Sequence, residues 1–245
     1  MNCRKTTFAT LVALSALAAA SALAQTCPEP LQSARRLVLV TADNMDTSGA
    51  TLQIFERASP ADPWRSLGPA EPALVGRKGM GWGYGFYQLG QGGEPVKVEG
   101  DKKTPSGIYP IGVSFGFAPS SRPGYIQIKD ETVCIDDPAS PDYNTITSRA
   151  TAGAKARGEN MRSNSPYRRG LVVDYPTNGA TRAGSCIFIH VQRSATEPTA
   201  GCVSLPEARV VALQDFAEQR AVLVVLPRAA LGRLEGCLPQ LTAVR

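Results

Sequence analysis

The stretch IFIHVQRSATEPTAGCVSLPE (187–207) holds His190, the only histidine among 245 residues, and Cys202 twelve positions further on. An imidazole and a thiol within reach of one another form a nucleophile–base pair: the ring takes the thiol proton while sulfur attacks a carbonyl. CIFIHVQ reads as a strand on which Cys186, Phe188 and His190 share one face. SATEPTAG reads as a loop, long enough to return Cys202 beside the end of that strand. Cys202 then stands just ahead of a helix predicted over SLPEARVVALQDFAEQ (204–219), with Ser204 and Glu207 as its capping box and Pro206 in its first turn. A thiol at a helix N-terminus feels the positive end of the dipole, which favours the thiolate. Gly201 lets the backbone approach a substrate closely, and the N–H groups around Ala200, Gly201 and Cys202 can cradle a developing oxyanion.

Thiol bookkeeping supports a free Cys202. The chain opens with MNCRK, continues with an apolar run over 8–20 and reaches SALAQ, the pattern of a secretory signal peptide cleaved after Ala24. Residues 1–24 are therefore expected to leave, and 25–245 to form one domain in an exported, periplasmic or envelope protein without stable membrane insertion. Cys3 leaves with the leader, so five of six cysteines remain, and an odd number leaves one over. A Cys27–Cys237 bridge would tie the two ends together and leave Cys134 with Cys186, although four paired cysteines allow three arrangements. Net charge falls from +5 to about +3 without Arg4 and Lys5. No Lys/Arg run is interleaved with aromatics, which argues against nucleic acid as a partner.

The elements that must hold this pair are mostly short strands. RLVLVTA (36–42) and TLQIFERA (51–58) form a natural hairpin across DNMDTSG. WRSLG, PALVG, two pieces of VKVEGDKKTPSGIYPIG (96–112), GYIQIKD, LVVDYP and AVLVVLP (221–227) follow in the β manner. Helical signals are fewer: one helix after Cys202 with Val210, Leu213 and Phe216 as its core stripe, and a short one around SPDYNTITSRA. The fold class read from this is mainly β.

With these residues in view, the chain resembles the YkuD-type L,D-transpeptidases. His190, Thr199, Gly201, Cys202 and Val203 match that family's histidine–gap–Ser/Thr-His-Gly-Cys signature, and VEGDKKTPSGIYPIG is similar to its Gly-Asp-x-x-Thr-Pro-x-Gly segment. The resemblance spans roughly residues 36 to 227. It implies a β-sandwich or mixed-sheet catalytic domain acting on peptidoglycan stem peptides, without metal or cofactor. Cys202 would be the nucleophile, His190 the base, and Gly201 and Ala200 backbone oxyanion donors, with Thr199 and Ser204 near the substrate. Cys202 would cleave an L,D peptide bond through a thioester, which a second stem peptide or water resolves. Ala200 stands where the family carries a second histidine, and Ser204 where it carries Asn or Arg. Another cation, Arg162 or Arg149, would then meet the substrate carboxylate. A hydrolase using the same site, such as an L,D-carboxypeptidase, and a silent envelope-binding domain are the alternatives.

Other motifs carry less. GVSFG (112–116) has the spacing of a nucleophile elbow but no following helix. GRKGMGWGYG (76–85) lacks the lysine–serine/threonine ending of a phosphate loop and reads as a tightly turning β segment. The carboxylates of CIDDPASPDYN (134–144) read as turn and capping groups, with Asp136 and Asp137 flanking the cleft. With one histidine, a zinc site is not expected.

Overall fold

The computed structural model describes residues 27–241; the leader predicted over 1–24 lies outside the described residues. In chain order the strands are β1 (Arg36–Ala42), β2 (Gly49–Glu56), β3 (Arg65–Ser66), β4 (Glu71–Leu74) and β5 (Met80–Trp82). Then come β6 (Thr104–Gly116), β7 (Ile126–Gln127), β8 (Thr132–Ile135), β9 (Ile146–Ser148) and β10 (Gly158–Asn160). β11 (Arg169–Val173), β12 (Phe188–Val191), β13 (Val203–Leu205) and β14 (Val222–Pro227) complete the set. Among the described residues two α-helices accompany them, α1 (Arg149–Ala152) and α2 (Glu207–Ala217). The protein is mainly β.

Eight strands close into a ring in the order β1–β14–β6–β11–β12–β13–β4–β2, and β2 returns to β1. This differs from the sandwich expected at the outset. The reason lies in β1, whose run Leu37–Ala42 is buried throughout. One edge pairs antiparallel with β2 from Arg36↔Glu56 to Ala42↔Ala50, and the other pairs parallel with β14 from Leu37↔Val222 to Ala42↔Pro227. A strand bonded on both edges by its neighbours leaves no open edge at that seam. The thirteen-residue β6 bends through the wall, pairing β5 and β14 in its first half and β11 and β7 in its second. TPSG, which lies between the two strand pieces expected in VKVEGDKKTPSGIYPIG, is thus the start of a strand, and VKVEG forms only a single bridge between Val96 and Trp82.

The predicted hairpin, the stripe on α2 and AVLVVLP all form as elements. α2 buries Val210, Leu213 and Phe216, and its Gln214 donates to the Phe115 and Gly170 carbonyls at 3.1 and 3.0 Å. These two carbonyls give the buried amide the acceptors it needs beneath the sheet.

A separate three-stranded sheet, β10–β8–β9, packs beside the ring. Between them lies a second apolar cluster: Phe115, Ile128, Cys134, Met161, Tyr167, Phe188 and Cys202. Phe115, Tyr167 and Phe188 meet edge to face at 5.2 to 5.9 Å, contacts worth about 0.5–1.5 kcal/mol each beyond their burial. This cluster forms the floor of the candidate site.

Among the described residues two disulfides form, Cys27–Cys237 and Cys134–Cys186, and Cys202 is a buried free thiol. Bridged cysteines fit an oxidising compartment. No helix among the described residues is long and apolar enough to cross a membrane.

Candidate functional site

β12 and β13 run parallel, with Ile189 opposite Val203 and His190 opposite Ser204. The ten residues joining Gln192 to Gly201 therefore carry the chain back to the start of the strand it left. This return places Cys202 beside Phe188, whose backbone N–H donates to the sulfur at 3.4 Å. His190 and Cys202 both line a cleft of about 340 Å³, together with Tyr167, Cys186, Thr199, Ala200, Gly201 and Ser204.

The predicted cap is not where the sequence suggested. Ser204 belongs to β13, whose Val203, Ser204 and Leu205 are all buried, and α2 begins only at Glu207 after Pro206. Ser, Pro and Glu carry the local spacing of a helix start, but pairing to β12 and β4 captures Ser204 in extended backbone. Its hydroxyl has no protein partner among the described residues. Cys202 consequently does not sit on a helix N-terminus, and the expected dipole-favoured thiolate is corrected. Burial dominates and pushes the thiol up to about 12. The Phe188 N–H, Lys97 and the Tyr167 hydroxyl favour the thiolate against this, whereas Glu159 opposes it. The S–H donates to the Cys186 carbonyl at 3.4 Å.

Cys186 is likewise misplaced by the sequence reading: it precedes β12, in left-handed backbone at φ 55°, and does not share a strand face with His190. Its disulfide to Cys134 and a 2.9 Å bond from its N–H to Asn144 Oδ1 hold it there.

His190 is held by its own strand. Nδ1 lies 2.9 Å from the Val191 carbonyl, so Nδ1–H donates and Nε2 is left with its lone pair. Burial is the main cause that lowers the imidazole to about 4, with Arg193 adding to it and the Val191 carbonyl opposing. The ring packs edge to face on Tyr167 at 5.3 Å. At neutral pH the pair is therefore neutral thiol and neutral imidazole, with Tyr167 touching both.

Thr199 clamps the loop from within. Its hydroxyl accepts from Gly201 N–H at 3.1 Å and donates to the Cys202 carbonyl at 2.7 Å, which also accepts from the Thr104 hydroxyl at 3.1 Å. Gly201 N–H is thereby occupied, which removes it from the expected oxyanion donors. The amides of Ala200 and Cys202 stay without a protein acceptor among the described residues. Gly201 adopts φ 146°, and a Cβ there would meet the Lys103 carbonyl at 3.1 Å, so glycine suits the turn.

Neither cation suggested from sequence faces the cleft. Arg162 pairs with Asp130 over Phe117, and Arg149 donates to the Ala156 and Gly158 carbonyls. Asp136 lines the cleft and Asp137 does not. Ser114 of the GVSFG motif lies inside β6. Sequence reasoning missed Tyr167 and Glu159. The Tyr167 hydroxyl donates to Glu159 Oε2 at 2.7 Å, and Asn164 donates to Oε1 at 2.8 Å. Burial raises this carboxyl above its ordinary value.

No protein-family description matches the chain, and no curated protein does. Among solved structures it is similar to the K307A mutant of the helical cell shape determining protein Pgp2 from Campylobacter jejuni, with a TM-score of 0.39 and 15% identity. The match covers 79% of this chain and 48% of that one, so the chain spans about half the length of that protein.

Proposed function

We propose that the protein is an exported cysteine acyltransferase of the L,D-transpeptidase type, acting on peptidoglycan stem peptides in the cell envelope. The observation that carries this reading is the geometry of one cleft. It holds a free thiol beside a main-chain N–H and a histidine whose Nδ1 is tied to its own backbone. Such tethering leaves Nε2 as a general base with a fixed tautomer.

Because both groups rest neutral, no thiolate–imidazolium pair awaits the substrate. Proton transfer accompanies attack: as Cys202 sulfur bonds the carbonyl carbon at the L-centre, its proton passes to His190 Nε2. Negative charge gathers on the former carbonyl oxygen, where the Ala200 and Cys202 amides can donate. Collapse expels the terminal D-residue as an amine, which recovers the proton from His190, and leaves a thioester on Cys202. An amine of a second stem peptide then attacks the thioester and the sulfur leaves as thiol. Water in place of that amine gives the carboxypeptidase outcome at the same site.

Incubating purified protein with stem tetrapeptides and weighing both products and protein tests the reading. A mass increase on Cys202, with loss of the terminal residue, is the expected result. Cys202→Ala gives neither, and His190→Ala slows thioester formation by about 10²-fold or more. An unmodified Cys202 under turnover conditions, or wild-type acylation in His190→Ala, removes the proposal.

A further inference from the structure

Most charged side chains around the cleft are already committed to a neighbour. Buried Lys97 donates to Asp101 at 2.6 Å and to the Val98 carbonyl at 2.7 Å. Arg193 pairs with Glu197 and reaches Asn164, and Glu159 is held by Tyr167 and Asn164. Asp136 is met by Arg157, and Glu99 accepts from Tyr143 and Ser185.

Arg77 and Lys102 differ. Both line the cleft, both are exposed, and neither side chain has a partner among the described residues. Their backbones, however, are firmly placed, Arg77 against the nucleophile loop and Lys102 against the Arg77 segment. Arg77 N–H donates to the Thr199 carbonyl at 2.9 Å, and Thr199 N–H returns a bond to Val75 at 3.0 Å. Lys102 is held in left-handed backbone at φ 66°, its carbonyl accepting from Lys78 N–H at 3.2 Å. That carbonyl lies so near Gly76 that a Cβ there would be 2.3 Å away, which brings the Arg77 and Lys102 segments into contact. Two positive groups with fixed backbones and uncommitted heads line the cleft that holds Cys202, Arg77 bonded to the nucleophile loop and Lys102 on the turn packed against Gly76, and together they make a receptor for an anion one residue from the reacting carbonyl.

We propose that Arg77 and Lys102 form a carboxylate subsite that seats the free C-terminus of the peptide attacked by Cys202, which confines the reaction to chain ends. The proposal rests on the acyl-transfer reading above. A carboxylate is the anion that adjoins a scissile amide when the departing residue is terminal, and the arginine fork matches it in two-point geometry.

Two peptides alike in every side chain but ending in a free acid or an amide separate a terminal carboxylate from an acidic side chain as the recognised group. Wild-type protein is expected to favour the acid by about tenfold in kcat/KM. R77Q/K102Q is expected to lose that preference through a raised KM for the acid. Alkylation of Cys202 by neutral iodoacetamide reports whether the variant keeps the native site, and its rate is expected to match wild type. Should alkylation change, the single variants R77Q and K102Q take its place. Equal handling of the two peptides by wild type, or an undiminished preference in the variants, overturns the subsite. If wild type releases no residue and Cys202 gains no adduct, the acyl-transfer reading falls instead. Calorimetric binding of the two peptides to Cys202→Ala protein then still decides the subsite, which is overturned if the amide binds as tightly as the acid.

Discussion

The two disulfides are chemically alike and sit in unlike surroundings. Cys27–Cys237 joins residues 210 positions apart and packs against the main core cluster beneath Trp64, whose indole donates to the Cys237 carbonyl at 3.0 Å. Cys134–Cys186 spans 52 positions, joins the small sheet to the segment entering β12, and belongs to the cluster that contains Cys202. The first restrains the chain without touching the cleft. The second fixes the carbonyl that the Cys202 thiol bonds. Their difference separates stability from site geometry, a separation that most core contacts do not allow.

Removing each bridge breaks the comparison at a different point. A bridge limits the unfolded chain with the logarithm of the loop it closes, about 5 kcal/mol for a separation of 210 and about 4 kcal/mol for 52 in the chain-entropy view. Cys27→Ser/Cys237→Ser is accordingly expected to show the larger fall in denaturant midpoint. The folded fraction of that variant should alkylate Cys202 at the wild-type rate. Cys134→Ser/Cys186→Ser is expected to lose slightly less stability yet to alkylate several-fold faster at pH 8, because Cys186 relaxes and its carbonyl no longer holds the thiol. Equal alkylation in the two variants would show that the second bridge has no special hold on the site.

A smaller effect sharpens the same contrast without touching a disulfide. His190 is lowered to about 4 when folded and titrates near 6.5 when unfolded, so the unfolded chain binds more protons between these values. Stability from this group is intact above pH 6.5 and declines as pH falls towards 4, by up to about 3 kcal/mol. Urea midpoints measured across that window should fall more steeply for wild type than for His190→Gln. Parallel curves would mean that the ring is less enclosed than its position in the cleft indicates.

Much of the frame is visible in the amino-acid order because local pattern and final environment agree there. The apolar runs of β1 and β14 are continuous because both strands are buried on both faces, and Val210, Leu213 and Phe216 recur at helical spacing because α2 has one covered side. His190 and Cys202 are conspicuous by scarcity and by an odd thiol. Legibility ends where pairing over long separations decides. Ser204 has every local mark of a cap, but its partners are His190 and Leu74, fourteen and 130 positions away. Tyr167 reaches Cys202 and Glu159 holds Tyr167 from other elements, and neither carries a spacing that would announce it. Arg77 and Lys102 sit in glycine-marked turns, where the pattern reveals the bend but not the cleft it borders.

The thiol's burial has a consequence for endurance. The thiolate is the form that attacks peroxides and disulfides, and burial that pushes Cys202 up to about 12 keeps it as the thiol at pH 7. A lone cysteine that shares its surroundings with cystines can thus remain reduced without a resolving partner or a repair enzyme. The same enclosure that makes Cys202 slow to ionise disfavours its sulfenylation and its scrambling with the neighbouring cystines.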